Sequence, residues 1–265
     1  MKSAGALLQR WRVFRRLSQM QLALDCNVSQ RHLSFLESGR ARGSRVMLLK
    51  ISEALDMPLR ARNELLLAAG FAPFYPERRL DSPEQQDALP MVQRMLDHHE
   101  PYPALALDSA WDIVLRNSAA TSLISQCVAQ HVLARMAGDG KLNFMRLMCS
   151  PEALQKSIRS WPRTGRALLN RLRREASASP GSPSEPLLRE LLEIHAFPGF
   201  ADPGEAHLEA TIPIEIEVQG TLIRLLTATM TFGTPQDVNL QELRIEMTYP
   251  ADDSTEQALR RTATS

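Results

Sequence analysis

The chain has 265 residues, 44% of them hydrophobic and 23% charged, enough for one or two domains with cores of their own. Its net charge is +1, and its three cysteines, Cys26, Cys127 and Cys149, are an odd number at no metal-ligand spacing. This composition argues against a disulfide scaffold and a zinc module; no run approaches the ~20 apolar residues that span a bilayer, so neither a membrane partner nor a cofactor is expected.

Helix 1 is expected from Ala4 to Arg16, with Leu7, Leu8, Trp11 and Phe14 inward; Arg10, Arg12, Arg15 and Arg16 break up any apolar leader, so a cytoplasmic protein is expected. Leu22, Ala23 and Cys26 recur at helical spacing in a second helix. Asn27 then breaks the pattern, because Asn tolerates left-handed backbone. Val28 reads as a buried elbow and Ser29 as the N-cap of a third helix, with Leu33 and Leu36 inward and Gly39 ending it. That leaves Gln30, Arg31, Ser34 and Phe35 on the outer face, with His32 beside them. Gln and Arg are the side chains that read adenine and guanine edges with two hydrogen bonds. Arg40, Arg42 and Arg45 follow in a loop suited to the DNA backbone or the minor groove.

Charge supports this reading over a generic amphipathic hairpin. Residues 1–50 carry ten Lys and Arg against Asp25 and Glu37, a balance of +8, so residues 51–265 carry −7. A strongly basic end on a nearly neutral protein is an electrostatic footprint for phosphate. Helices 4 and 5 follow near 45–55 and 59–69, then an extended exit at 72–76 and a linker helix from about 83 to 98.

Beyond the linker the pattern changes. PYPALALDSAWDIVLRN reads as two short strands around an Asp108-Ser109 turn, with Trp111, Ile113 and Leu115 on one face. Helical segments are expected at 118–137, 141–148, 151–176 and 185–196, the last two separated by the loop SASPGSPSEP. Ile212, Ile214, Ile216 and Val218 then alternate with Glu215 and Glu217. Gly220 turns the chain into TLIRLLTATMTF, and residues 233–238 turn it into LQELRIEMTY, where Leu243, Ile245 and Met247 alternate with Arg244, Glu246 and Thr248. Three such strands predict an antiparallel meander with one buried face. Two strands, a helical insert and three strands give an α+β, PAS-like domain with an antiparallel sheet. An apolar lining for its pocket is expected from Trp111, Ile113, Phe144, Leu147, Met148, Trp161, Leu168, Leu172 and Phe197, with ordinary core packing as the competing reading of each.

The first third resembles the Xre family, the Cro and lambda-repressor type of helix-turn-helix. SQxxLA at 18–23, Val28-Ser29, LxxLExG at 33–39 and LLKISEALDMP at 48–58 carry the likeness. The resemblance implies an all-α, five-helix, lambda-repressor-like DNA-binding domain over residues 1–72. It implies that Gln19 caps the first helix of the motif and contacts phosphate, and that Gln30, Arg31, Ser34 and Phe35 read bases. Arg12 and Glu37 are expected to form an internal ion pair, and Arg45 to enter the minor groove. Phe35 and Gly43 depart from the usual pattern. The rest resembles the MmyB-like ligand-binding domain attached to such regulators, on PYPALALDSAWDIVLRNSAA, LNFMRLMCSPEALQKSIRSW, TFGTPQDV and RIEMTYPADDST. Here the resemblance implies a small apolar ligand such as a fatty acid, bound over residues 100–253 after a linker at 73–99, with a tail at 254–265.

The expected protein is therefore a homodimeric, non-enzymatic regulator that binds double-stranded operator DNA. His98-His99-Glu100 lacks a second metal-ligating cluster, His131 and His195 lack a haem motif, and no nucleotide-binding or hydrolase signature occurs. Two other readings stay open: a C-terminal dimerisation or docking module without a ligand, and a degenerate enzyme.

Overall fold

The computed structural model describes residues 3–79, 82, 88–138, 140–194 and 213–263. The chain divides into two units, one of residues 1–78 with 234–241, the other of residues 79–233 with 242–265.

The first unit holds helices α1 (Ala4–Phe14), α2 (Gln19–Asp25), α3 (Gln30–Glu37), α4 (Arg45–Ala54) and α5 (Leu59–Ala68). Four begin at a serine, Ser3, Ser18, Ser29 and Ser44, whose hydroxyl accepts from a backbone N–H three residues on. Asn27 has φ 49°, and Gly39 ends α3 at φ 74°, as their residue types predict. Leu8, Trp11, Leu22, Leu33, Leu48, Ile51 and Leu65 fill the core. The capping residue of α2 is Ser18, not Gln19: a hydroxyl one residue earlier reaches the Gln21 N–H. Phe14 is 36% exposed rather than inward, because α1 stops there and its ring meets Trp11 only by an edge, at 5.6 Å between centroids. Val28 is half-buried.

A second stretch of chain completes this unit. Within residues 234–241, Gln241 Oε1 accepts from Leu59 N at 2.8 Å, Asp237 Oδ2 accepts from Arg78 N at 3.2 Å, and Val238 N donates to Pro76 O at 2.9 Å. The stretch expected as a turn and the start of a strand is a loop followed by α12 (Val238–Glu242). Asp237 Oδ1 accepts from Asn239 N at 2.9 Å, which starts a helical turn where alternation alone suggests a strand.

The second unit opens with α6 (Ala88–Asp97); residues 83–87 of the expected linker helix lie outside the described residues. Strands β1 (Ala104–Leu107), β2 (Ile113–Arg116), β3 (Ile214–Val218), β4 (Thr221–Thr231) and β5 (Arg244–Pro250) form one antiparallel sheet in the order β2-β1-β5-β4-β3. Between β2 and β3 come α7 (Ser118–Cys127), α8 (Gln130–Ala137), α9 (Phe144–Cys149), a 3-10 turn at Leu154–Ser157, α10 (Trp161–Ala178) and α11 (Ser184–Ile194). The expected helix over 118–137 is thus two, broken at Val128, whose backbone is extended. The expected helix over 151–176 starts only at Trp161, with Pro162 in its first turn. The sequence reading assigns no element to residues 254–263, which lie in α13 (Asp253–Ala263).

Both faces of this sheet are covered, so the meander does not have a single buried face. Leu243, Ile245 and Met247 pack with Val92 and Leu96 of α6, while Leu105, Ile216, Ile223 and Leu225 pack under the helical insert. Leu115 joins the α6 side, whereas Trp111 and Ile113 join the insert side. The cause is a register shift between Ala106 and Leu107, which offsets the alternation by one residue. Asn117, 1% exposed, ties α6, β1 and α7 together: its amide oxygen accepts from Ala104 N and Ala120 N, and its amide nitrogen donates to Leu96 O and Tyr102 O.

Candidate functional site

In the first unit, α3 buries Leu33, Leu36 and Glu37 and leaves Gln30 and Arg31 exposed, with His32, Ser34 and Phe35 half-buried beside them. The Arg31 and Arg40 guanidiniums lie 5.3 and 6.0 Å from the Phe35 ring, a cation–π arrangement that holds two cations on one side of α3. The His32 ring meets Met47 Sδ at 3.3 Å. Arg42 is exposed, and exposed Arg45, the first residue of α4, stands 5.1 Å over Phe74. Gln19 donates to Glu37 Oε2 at 2.7 Å and sits with the α3 residues through that contact. These nine residues come from α2, α3, the following loop and the start of α4.

Buried beneath is the expected ion pair. Arg12 Nε and Nη2 donate to the two oxygens of Glu37 at 2.6 and 2.9 Å, and Arg12 Nη1 donates to Leu17 O at 2.9 Å. The hydrogen bond to Glu37 holds the Arg12 pKa above its ordinary value, against the opposing effect of burial. Gly5 lets α1 pass close to α3: a methyl group there would lie 2.4 Å from the carbonyl oxygens of Leu36 and Glu37.

In the second unit, a cavity of about 80 Å³ lies between the insert helices and the sheet. Phe144, Met148 and Leu168 line it, as expected. Trp111, Ile113, Leu147, Trp161 and Leu172 pack in or against the surrounding core and are not part of its wall, and Phe197 lies outside the described residues. A larger groove of about 480 Å³ between α7, α13 and the β3–β4 turn has mixed walls that include Glu100, Gln126 and Gln219. The smaller cavity is the apolar one, between sheet and helices.

Its polar side was not legible in the sequence. Arg171 and Glu246 stand on the wall among apolar residues. Arg171 Nη1 and Nη2 donate to Glu246 at 3.0 and 2.5 Å, and Thr229 donates to the same carboxylate at 3.2 Å. Behind them Arg244 pairs with Glu175, and both guanidiniums lie over Trp111, at 4.8 Å for Arg171 and 4.2 Å for Arg244. Trp111 is fully buried at φ 69°, an unfavourable region for a bulky residue, and its Nε1 has no hydrogen-bond partner among the described residues. Alternation along β5 reads Glu246 as solvent-facing; that face is under the insert, and Glu246 is 3% exposed.

Comparison with known proteins fits this architecture. The model of the MmyB-like transcription regulator ligand binding domain matches residues 88–261. The chain belongs to this family. No curated protein matches the chain. A solved RNA-binding light-oxygen-voltage receptor aligns at 12% identity and TM-score 0.30, over 97% of this chain and 62% of that one, so this chain spans less than two thirds of that receptor. As an MmyB-like regulator, the protein carries its ligand-binding domain over residues 88–261, after the five helices α1 to α5. Among the described residues of this MmyB-like chain no cluster of His, Cys, Asp and Glu suits a metal ion, and no helix is long and apolar enough to cross a membrane.

Proposed function

We propose that the chain is a one-component transcription regulator whose first unit reads operator DNA and whose second unit senses a small apolar molecule. The observation that carries the DNA half is the exposed front of α3, where Gln30 and Arg31 stand free of the core, with Arg40 and Arg42 exposed in the loop that follows, all within the basic residues 1–50. These side chains suit base edges and phosphates respectively. One helix-turn-helix offers a small interface, so specific binding calls for a homodimer on two half-sites. The Xre resemblance supports the same roles for Gln19, Ser34, Phe35 and Arg45.

The ligand half rests on the family and on the apolar wall between sheet and helices, which suits an acyl-like chain. Its binding must favour one pose of the DNA-reading heads over another to act as a switch. The reading has no catalytic step and places the regulator in the cytoplasm. The cavity volume, about 80 Å³ against ~300–1,000 Å³ for sites holding drug-sized ligands, favours a second reading in which this unit is a docking or dimerisation module. Native mass spectrometry of the freshly purified full chain separates the two. A dimer retaining a dissociable small molecule supports the sensor, and a clean dimer that also refuses medium-chain amphiphiles supports the module.

A further inference from the structure

The edges of the sheet in the second unit are guarded at two places and bare at a third. Along β2, Ile113 N donates to Leu142 O at 2.8 Å and Arg116 O accepts from Gln93 Nε2 at 3.4 Å. Along β3, Glu215 O accepts from Arg159 N at 2.9 Å and Ile216 bridges Ile158. Strand β4 is different. It is 11 residues long, and β3 pairs with it only from Val218↔Thr221 to Ile214↔Leu225. Beyond Leu225, among the described residues, β5 pairs with one side of β4 and no strand pairs with the other. Thr227, Ala228, Thr229, Met230 and Thr231 are all exposed.

The register fixes which groups this edge presents. Arg224 O accepts from Ala251 N at 2.9 Å, so the even-numbered residues of β4 turn their backbone groups toward β5. Thr227, Thr229 and Thr231 therefore turn N–H and C=O into the open edge. The spacing of these groups is regular, because the β4–β5 pairing runs from Leu225 to Thr231 without a shift. Proteins blunt such an edge with charge, proline or a bulge, since a bare one pairs with another strand. Thr-Ala-Thr-Met-Thr carries none of the three.

We infer that this edge is a dimer interface, where residues 227–231 of two copies pair antiparallel about Thr229 and join their five-stranded sheets. The inference rests on the homodimer proposed above and supplies its contact surface. A second copy is the partner that the strand fits. In an antiparallel pair centred on Thr229, that residue meets its own counterpart and Thr227 meets Thr231 of the partner subunit. Each outward N–H then faces an outward C=O. Threonine opposite threonine is a favourable cross-strand pair, and an uncharged strand meets its own copy without repulsion. The contact is the same patch on both copies, as a two-fold dimer requires.

Analytical ultracentrifugation of the full chain over a concentration series, without DNA, tests the inference. The unmodified protein is expected to dimerise. Thr229→Pro removes an N–H that has no strand partner among the described residues, a position where an edge strand tolerates proline. The pair loses its central hydrogen bonds, so the dissociation constant is expected to rise at least ~10-fold. Thr229→Val removes the hydroxyl that donates to Glu246 but keeps the N–H, and is expected to dimerise like its parent. A dimer that Thr229→Pro leaves intact overturns the edge and keeps the homodimer. A monomer at every concentration overturns both. Hydrogen exchange on the unmodified protein decides even where the proline variant does not fold. The amides of Thr227, Thr229 and Thr231 are expected to slow as concentration rises, and concentration-independent exchange overturns the inference.

Discussion

Arg12 and Glu37, 25 positions apart, meet in a two-point ion pair whose side chains are only 12% and 3% exposed. The pair fastens α1 to the C-terminal end of α3, and Gln19 adds α2 to the same carboxylate. Three helices of the first unit therefore depend on one acid. Glu37→Ala leaves a nearly buried guanidinium without its partner and is expected to cost roughly 3 kcal/mol, the low end for breaking a buried pair. Calorimetry of the full chain should show an earlier unfolding onset; an unchanged trace would remove this role.

Gly5 makes a separate packing prediction. Gly5→Ala places a methyl against two backbone carbonyls that cannot rotate away, so α1 must shift off α3. A loss on the order of 1–3 kcal/mol is expected, as for other overpacked cores, although Ala is the better helix former. A variant as stable as its parent would show that the α1–α3 spacing is not tight.

The two arginines on Phe35 should behave differently on DNA. Arg31→Ala is expected to cost ~1–3 kcal/mol at a cognate site and to relax preference at one base pair. Arg40→Ala is expected to weaken all sequences alike and to lower the salt slope by about 1. Equal losses at cognate and scrambled duplexes for Arg31→Ala would assign it to phosphate rather than to a base.

Burial predicts the behaviour of the thiols. Loss of solvent pushes Cys149 up to about 12 and raises Cys26 and Cys127 as well. A raised thiol pKa keeps the group protonated below it, so at pH 8 the folded protein should react slowly with an aromatic disulfide reagent. Denaturant should then release three thiols. Fast reaction of one thiol in the folded protein would contradict the burial of that site.

The helical unit was legible because its signals are local. Serine caps, a left-handed Asn27 and a terminal Gly39 each act within a few residues, and apolar spacing supplies the rest. The order of two strands, helices and three strands was legible for the same reason. The pocket was not. Glu246 and Arg171 are 75 positions apart and look like solvated charges along their own elements. Only the insert folding over β5 makes them a buried pair. The register shift after Ala106 likewise leaves no local mark, yet it decides which side of the sheet Leu115 takes. Trp111 was expected in the apolar pocket lining; it instead supports the arginines from behind, in a backbone conformation that residue type does not suggest.

The central claim, that α3 reads a specific operator, is tested most directly by selection from random duplex DNA with the full-chain protein, followed by sequencing. The account predicts a two-fold symmetric motif with half-sites one helical turn apart, ~10 bp, and a changed preference at one base pair in each half-site for Arg31→Ala. Recovered sequences that share no motif, or a motif that Arg31→Ala leaves untouched, would contradict it.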